Sequence, residues 1–244
     1  MLLLALAIAP GIAISVFFFL KDQYNREPRK HILISFFLGF LSAAIAVALE
    51  LGLTQTTEKY TAGKIWGTAF LAYCVVALVE EWSKYIMVRY YAFPQPEFDE
   101  PFDGIVYCVM VSMGFATVEN IAYVYQYGLG VAILRMFLSV PAHAIFGVIM
   151  GYYMGKAWTH TGSKRSRLLL TGLLMAVFWH GTFDFFLFLE DSKLVSRYVA
   201  EGLLFLGAVA SFGLAFLLSR RAVKEHMELS ALMHRPLPED RDIG

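Results

Sequence analysis

The sequence predicts an all-α membrane protein, a polytopic bundle of about seven transmembrane helices with the N-terminus outside and the C-terminus inside. Composition, recurring apolar runs and the placement of basic residues lead to this. Of the 244 residues, 58% are hydrophobic and 16% charged, and the mean hydropathy is +0.59. Soluble domains carry about 25% charged residues, so lipid is the expected solvent. The formal net charge is zero, and nothing global points to a nucleic-acid partner.

A spanning helix needs about 20 mostly apolar residues. Seven segments qualify: 2–20, 32–53, 65–91, 104–125, 131–155, 168–189 and 199–219. The first is apolar from its start, has no basic region before it and is followed by Lys21, which predicts a retained span rather than a cleaved signal peptide. The third and fourth contain charges. The joins are short and polar, so residues 1–219 are expected to form one transmembrane domain. Residues 220–244 form a polar cytoplasmic tail with room for a short helix and a disordered end. Cys74 and Cys108 lie inside apolar runs and read as small buried hydrophobes, not as a disulfide or a zinc site.

Basic residues orient the helices. With the N-terminus outside, the cytoplasmic segments hold Lys21, Arg26, Arg29, Lys30, Lys156, Lys164, Arg165, Arg167, Arg220, Arg221, Lys224, Arg235 and Arg241. The outer segments hold only Lys59, Lys64, Lys193 and Arg197. That excess is what the positive-inside rule expects.

Ionisable residues inside spans are costly, so they mark function or pair with one another. Four spans carry them: Glu80, Glu81 and Lys84 in VEEWSK, Glu119 with Asn120 in FATVENIAY, His143 in VPAHAIFG, and His180 with Asp184 in WHGTFDF. Counted from the predicted cytoplasmic helix ends at 1.5 Å per residue, Glu80, Glu119, His143, His180 and Asp184 lie roughly 16 to 24 Å deep. The hydrocarbon core is about 30 Å thick, so they share one slab near its middle. Glu80 and Lys84 are four apart and can pair. Glu81 is turned about 100° away from Glu80 and is expected to point elsewhere. His180 and Asp184 share a face, where the carboxylate can orient the ring.

This set suits hydrolysis of a peptide bond. Desolvation makes a buried Glu a better general base, and a His or Asn can donate to an oxyanion. Ser83 sits within a helix, without the exposed turn a nucleophile needs, and reads as structural. Two other uses of the same residues stay open. Glu81, Glu119, His143 and His180 could ligate Zn²⁺, although HExxH is missing and the ligands would come from separate helices. Buried carboxylates and histidines also build proton relays in transporters, which often show internal repeats; no convincing repeat is present. Each group alone could be a structural ion pair or an interhelical polar contact. Their joint occurrence at one depth argues for a site. The proline-rich acidic segment PQPEFDEPFDG, residues 94–104, reads as a rigid, solvated cytoplasmic turn with Asp103 near the start of the fourth helix, or less securely as a substrate-docking loop.

The stretches APGIA, FFFLKDQYNREP, EEWSK, FDEPFDGIVY, SMGFATVENI, PAHAIFGVIMGYYMGKA and HGTFDF, in order along nearly the whole chain, resemble the PrsW family of bacterial intramembrane proteases. More distantly the chain is similar to the CAAX-processing and bacteriocin-processing membrane proteases, which share paired glutamates. The resemblance implies a multi-pass protein of the bacterial cell membrane that makes the first cut in a single-span anti-sigma factor, near the outer face, and so frees an envelope-stress sigma factor. It implies a glutamic-type protease with no cofactor. The family's paired glutamates match Glu80 and Glu81, its basic residue on the next turn Lys84, its helix-four acidic motif Glu119 and Asn120, and its two histidines His143 and His180. On this reading Glu80, Glu81 and His180 are catalytic, and Lys84, Glu119, Asn120, His143 and Asp184 support them.

Overall fold

The computed structural model describes residues 2–190, 195, 199 and 201–235. It contains α1 (Leu2–Lys21), α2 (Arg29–Thr61), α3 (Ile65–Ala92), α4 (Pro101–Tyr127), α5 (Leu129–Phe137), α6 (Ser139–Trp158), α7 (Gly162–Glu190) and α8 (Glu201–Met233). Among the described residues, seven helical spans are long and apolar enough to cross a membrane, with α5 and α6 together making one of them. The protein is all-α among the described residues, as expected. Lys193, Arg197 and Arg241 lie outside them. The last helix runs on through Arg220 to Met233, and residues 236–244 lie outside the described part.

α4 is the axis of the bundle. Its residues from Pro101 to Thr117 are buried without a break, and it packs against α1, α2, α6 and α8. Small residues permit this closeness, as is common between membrane helices. A Cβ on Gly104 would come within 2.5 Å of the Gly151 carbonyl oxygen and the Gly155 nitrogen of α6. A Cβ on Gly114 would overlap the Phe36 carbonyl oxygen of α2. α3 lies against α2 and α7, and α7 also packs on α6 and α8.

Two irregularities shape the site. Within α3, residues Leu71–Ala77 are π-helical, immediately before the Glu80–Lys84 turn; such bulges shift the rotation of everything that follows them and recur at functional sites. Between α5 and α6, Leu138 breaks the helix. Pro141 explains the break: it has no N–H for the carbonyl four residues back, and its ring crowds that carbonyl. His143 thus sits in the first turns of a fresh helix. The segment 94–104 departs in part from expectation. Pro94, Pro96 and Asp99 are exposed, as a solvated turn predicts, but Glu100 and Asp103 are fully buried, where the segment meets the α1–α2 join and the end of α8.

Candidate active site

Lys84 gathers the centre of the site. Its Nζ donates to Glu81 Oε1 at 2.8 Å, to Glu80 Oε2 at 3.1 Å and to His143 Nδ1 at 3.2 Å. It also lies 4.0 Å from the centroid of the Phe115 ring. Glu81 therefore does not point elsewhere. Both i−3 and i−4 are helix neighbours of Lys84, and the four-carbon lysine stem reaches between the two rows.

Both histidines extend this centre. His143 Nδ1 accepts from Lys84, so its other nitrogen carries the proton and donates to Glu119 Oε2 at 2.8 Å. His180 Nδ1 lies 2.9 Å from Glu81 Oε1, and its Nε2 lies 3.1 Å from Asp184 Oδ2 and 3.9 Å from Glu80 Oε2. With acceptors on both sides, this ring is poised to hold a proton between Glu81 and Asp184. Phe146 stacks on it with centroids 4.9 Å apart, and the two imidazoles stand edge to face at 5.2 Å. These aromatic walls fix the rings and keep bulk water away.

Four helices and the α5–α6 break thus bring Glu80, Glu81, Lys84, Glu119, His143, His180 and Asp184 into one connected network. Asn120 stands apart from its centre. Its amide donates to the Ala7 carbonyl of α1 at 2.9 Å, and its carbonyl accepts from Arg135 Nε at 3.1 Å. Ser83 donates to the Glu80 backbone carbonyl, a structural use. Arg135 had escaped the sequence reasoning. Its Nη2 lies 2.8 Å from Glu119 Oε2, where it completes the charge balance around that carboxylate. An arginine inside an apolar run was the signal available. Glu50 of α2 also escaped; it is half-buried and close enough to interact electrostatically with Glu80 and Glu119.

Exposure separates the two glutamates. Glu81 is 0% exposed and its Oε1 serves both Lys84 and His180, whereas Glu80 is 5% exposed and meets Lys84 through one oxygen. The Glu119 and Arg135 side chains are more open, at 21% and 12%. From Glu119 to the end of α4 is roughly 12 Å, and from His180 to the end of α7 roughly 15 Å. On α4 and α7 the network thus lies nearer the Tyr127 and Glu190 ends, while Glu80 sits near the middle of α3.

The donors also suit a metal. One ligand atom from each of Glu80, Glu81, His143 and His180 lies within 4.8 Å of the others. Two imidazoles and two carboxylates match the ligands of catalytic Zn²⁺, at bond lengths near 2.0–2.2 Å, so the set fits after a small contraction. Glu80 takes the place in this set that the sequence reasoning gave to Glu119, which is engaged by Arg135 and His143. The Lys84 ammonium lies among three of the same four side chains, so it and a metal would compete for them.

A sequence model described as "PrsW family intramembrane metalloprotease" matches residues 27–215. The chain is 39% identical over 185 residues to Protease PrsW of Bacillus subtilis, covering 76% of this chain and 82% of that protein. It is 38% identical over 189 residues to Protease PrsW of Geobacillus kaustophilus, covering 78% and 81%, and 35% identical over 196 residues to that of Clostridioides difficile, covering 77% and 80%. No solved structure matches the chain.

Proposed function

Since the chain belongs to the PrsW family and is a multi-pass bacterial intramembrane protease, we propose that it makes the first, site-1 cut in a single-span anti-sigma factor, with Glu80 as the base that activates water. The observation that carries the choice of Glu80 is the contrast between the two glutamates. Glu81 is 0% exposed and hydrogen-bonded to both Lys84 and His180, whereas Glu80 is 5% exposed and hydrogen-bonded to Lys84 alone, with the two histidines at 3.9–4.0 Å.

The remaining roles follow from the contacts. Glu80 takes a proton from water as the oxygen attacks the scissile carbonyl. As the C–N bond breaks, Glu80 passes that proton to the leaving amine, directly or by reprotonating His180 after His180 has donated its own; His180, held between Glu81 and Asp184, otherwise donates toward the oxyanion. Lys84 holds the two glutamates together and keeps their charge compensated. His143, Glu119 and Arg135 form the wall on the partly exposed side, with Asn120 supporting Arg135. The basic residues favour an N-out, C-in orientation, which puts the partly exposed Glu119 and Arg135 toward the outer face, in keeping with an extracytoplasmic first cut.

The test is cleavage of a single-span anti-sigma factor by purified protein in liposomes, read by fragment mass. Glu80→Gln should abolish the cut. Full cleavage by Glu80→Gln would overturn the assignment, and an uncut anti-sigma factor beside cleavage of other single-span segments would overturn the substrate.

A second reading keeps the fold and changes the catalyst. The grouping of Glu80, Glu81, His143 and His180 and the description of the matching family favour a metal-dependent protease. When bound there, Zn²⁺ would supply Lewis-acid polarisation and a water ionised near neutral pH. Glu119 would then orient His143 and Asp184 would orient His180 through the ring nitrogens they already face. One metal per chain, lost together with activity on chelation and restored with it, would select this reading.

A further inference from the structure

A second group of ionisable residues closes the other end of the bundle. Asp22 follows α1, Glu27 precedes α2, and Glu100 and Asp103 flank the start of α4. All four are at most 3% exposed, and one carboxylate oxygen from each of Asp22, Glu100 and Asp103 lies within 4.8 Å of the others. The active site is distant: sixteen residues of α4 separate Asp103 from Glu119, roughly 24 Å.

One oxygen on each of three of these side chains is pinned. Asp22 Oδ2 accepts from the Glu27 N–H at 2.8 Å. Asp103 Oδ2 accepts from the N–H groups of Asp99 at 2.9 Å and Glu100 at 2.8 Å. Glu27 Oε2 accepts from the Tyr107 hydroxyl. The other oxygens, Asp22 Oδ1, Glu27 Oε1 and Asp103 Oδ1, are buried and meet no N–H or hydroxyl donor among the described residues, the Glu27 and Asp103 carboxyls facing one another. Little positive charge reaches them. Arg26 spends its Nε on the Asp22 backbone carbonyl at 3.0 Å, and His234 lies 3.3 Å from Glu100. Buried carboxylates without compensation are strongly unfavourable. Carboxylates pinned through one oxygen with the other free are arranged as metal ligands are, and an all-carboxylate donor set suits a hard cation.

We propose that Asp22, Glu100 and Asp103, with Glu27 beside them, form a second cation site for a hard divalent ion such as Ca²⁺ or Mg²⁺. The ion would tie the α1–α2 join to the start of α4, the axis of the bundle, and give the acidic segment 94–104 a role that peptide hydrolysis leaves unassigned. Protons are the competing occupant. Carboxylate ligands must be deprotonated to bind a metal, so cation binding should weaken at acid pH.

The test is calorimetric titration of the full chain in detergent with CaCl₂ and, separately, MgCl₂, at about pH 8 and about pH 5.5. The proteins are wild type, Glu81→Gln as an active-site control, Asp22→Asn and Glu100→Gln. We expect one site per chain in wild type and in Glu81→Gln at the higher pH, weakened at least about tenfold at the lower pH and in Asp22→Asn and Glu100→Gln. The midpoint of thermal unfolding should rise by about 3 °C or more with saturating cation in the first two proteins. Should one of Asp22→Asn and Glu100→Gln fail to fold, the other decides, and Glu81→Gln shows whether binding depends on the active-site glutamate. No binding in wild type, binding lost in Glu81→Gln but kept in Asp22→Asn and Glu100→Gln, or binding indifferent to pH would each overturn the proposal.

Discussion

The Lys84 ammonium lies 3.2 Å from Nδ1 of His143, although 59 residues separate them. That contact fixes the histidine's proton on the far nitrogen, where it meets Glu119. It also carries positive charge into the space between two glutamates from the helix that bears them. Removing it should be felt in both stability and turnover. Lys84→Met leaves Glu80 and Glu81 facing each other in a buried site. We expect a loss of about 3 kcal/mol, as for other broken buried ion pairs, together with loss of cleavage. Thermal unfolding in detergent and a liposome cleavage assay measure the two. If the second reading of the site holds, the same variant should bind Zn²⁺ more tightly than wild type.

Glu80 and Glu81 should separate in a stability measurement even where both abolish cleavage. Glu80→Gln should lower the cleavage rate about 10²-fold or more while the unfolding midpoint shifts little. Glu81→Gln removes the charge that serves both Lys84 and His180, so its midpoint should fall clearly. Equal midpoints for the two variants would count against Glu81 as the anchoring residue.

Arg135 should act through Glu119. Arg135→Leu leaves that carboxylate to His143 alone and should slow turnover about tenfold, with a shifted pH–rate profile. Arg135→Lys should restore part of the rate, since a lysine keeps the charge but not the planar guanidinium that spans Glu119 and Asn120. An unchanged rate and profile in Arg135→Leu would show the pair to be structural only.

The buried carboxyls at the other end give a pH dependence of known sign. Burial raises Asp22 from 3.8 to about 6, and Glu27 and Glu100 from 4.5 to about 7. The folded chain therefore holds protons that the unfolded chain has released. Their contribution to stability is full below about pH 4 and is lost as pH rises through 6 to 7. Arg26, Asp99, Asp103, His234 and Tyr107 face these groups and share in the balance. With chelator present, the unfolding midpoint should fall between about pH 5 and about pH 8. A midpoint that rises over that range would contradict these assignments.

Close helix packing should be intolerant at Gly114. Gly114→Ala places a methyl against the Phe36 carbonyl oxygen, a backbone atom that cannot swing aside. We expect destabilisation of about 2–3 kcal/mol and reduced cleavage, because Phe115 and Glu119 ride on the same helix. Gly52→Ala, at a position with open space around it, is the control and should leave both measurements near wild type.

The sequence by itself determined the membrane environment, the spans and the residues that do not belong in them. Hydropathy is a local sum over about 20 residues, so each helix is legible without its neighbours. Glu80, Glu81, Lys84, Glu119, His143, His180 and Asp184 stood out for the same reason. Only the tertiary structure decided which of their atoms meet. That depends on the rotation and height of each helix, set here by the π-helical turn before Leu78, by Pro141, and by glycine contacts such as Gly104 with Gly151. It brought Glu81 back to Lys84, set Asn120 to holding Arg135, and drew Arg135 and Glu50 in from apolar runs where they had passed unnoticed. It also buried Asp22, Glu27, Glu100 and Asp103 together. Their polar segments had read as solvated joins, because burial by distant helices leaves no periodic signal in the chain that is buried.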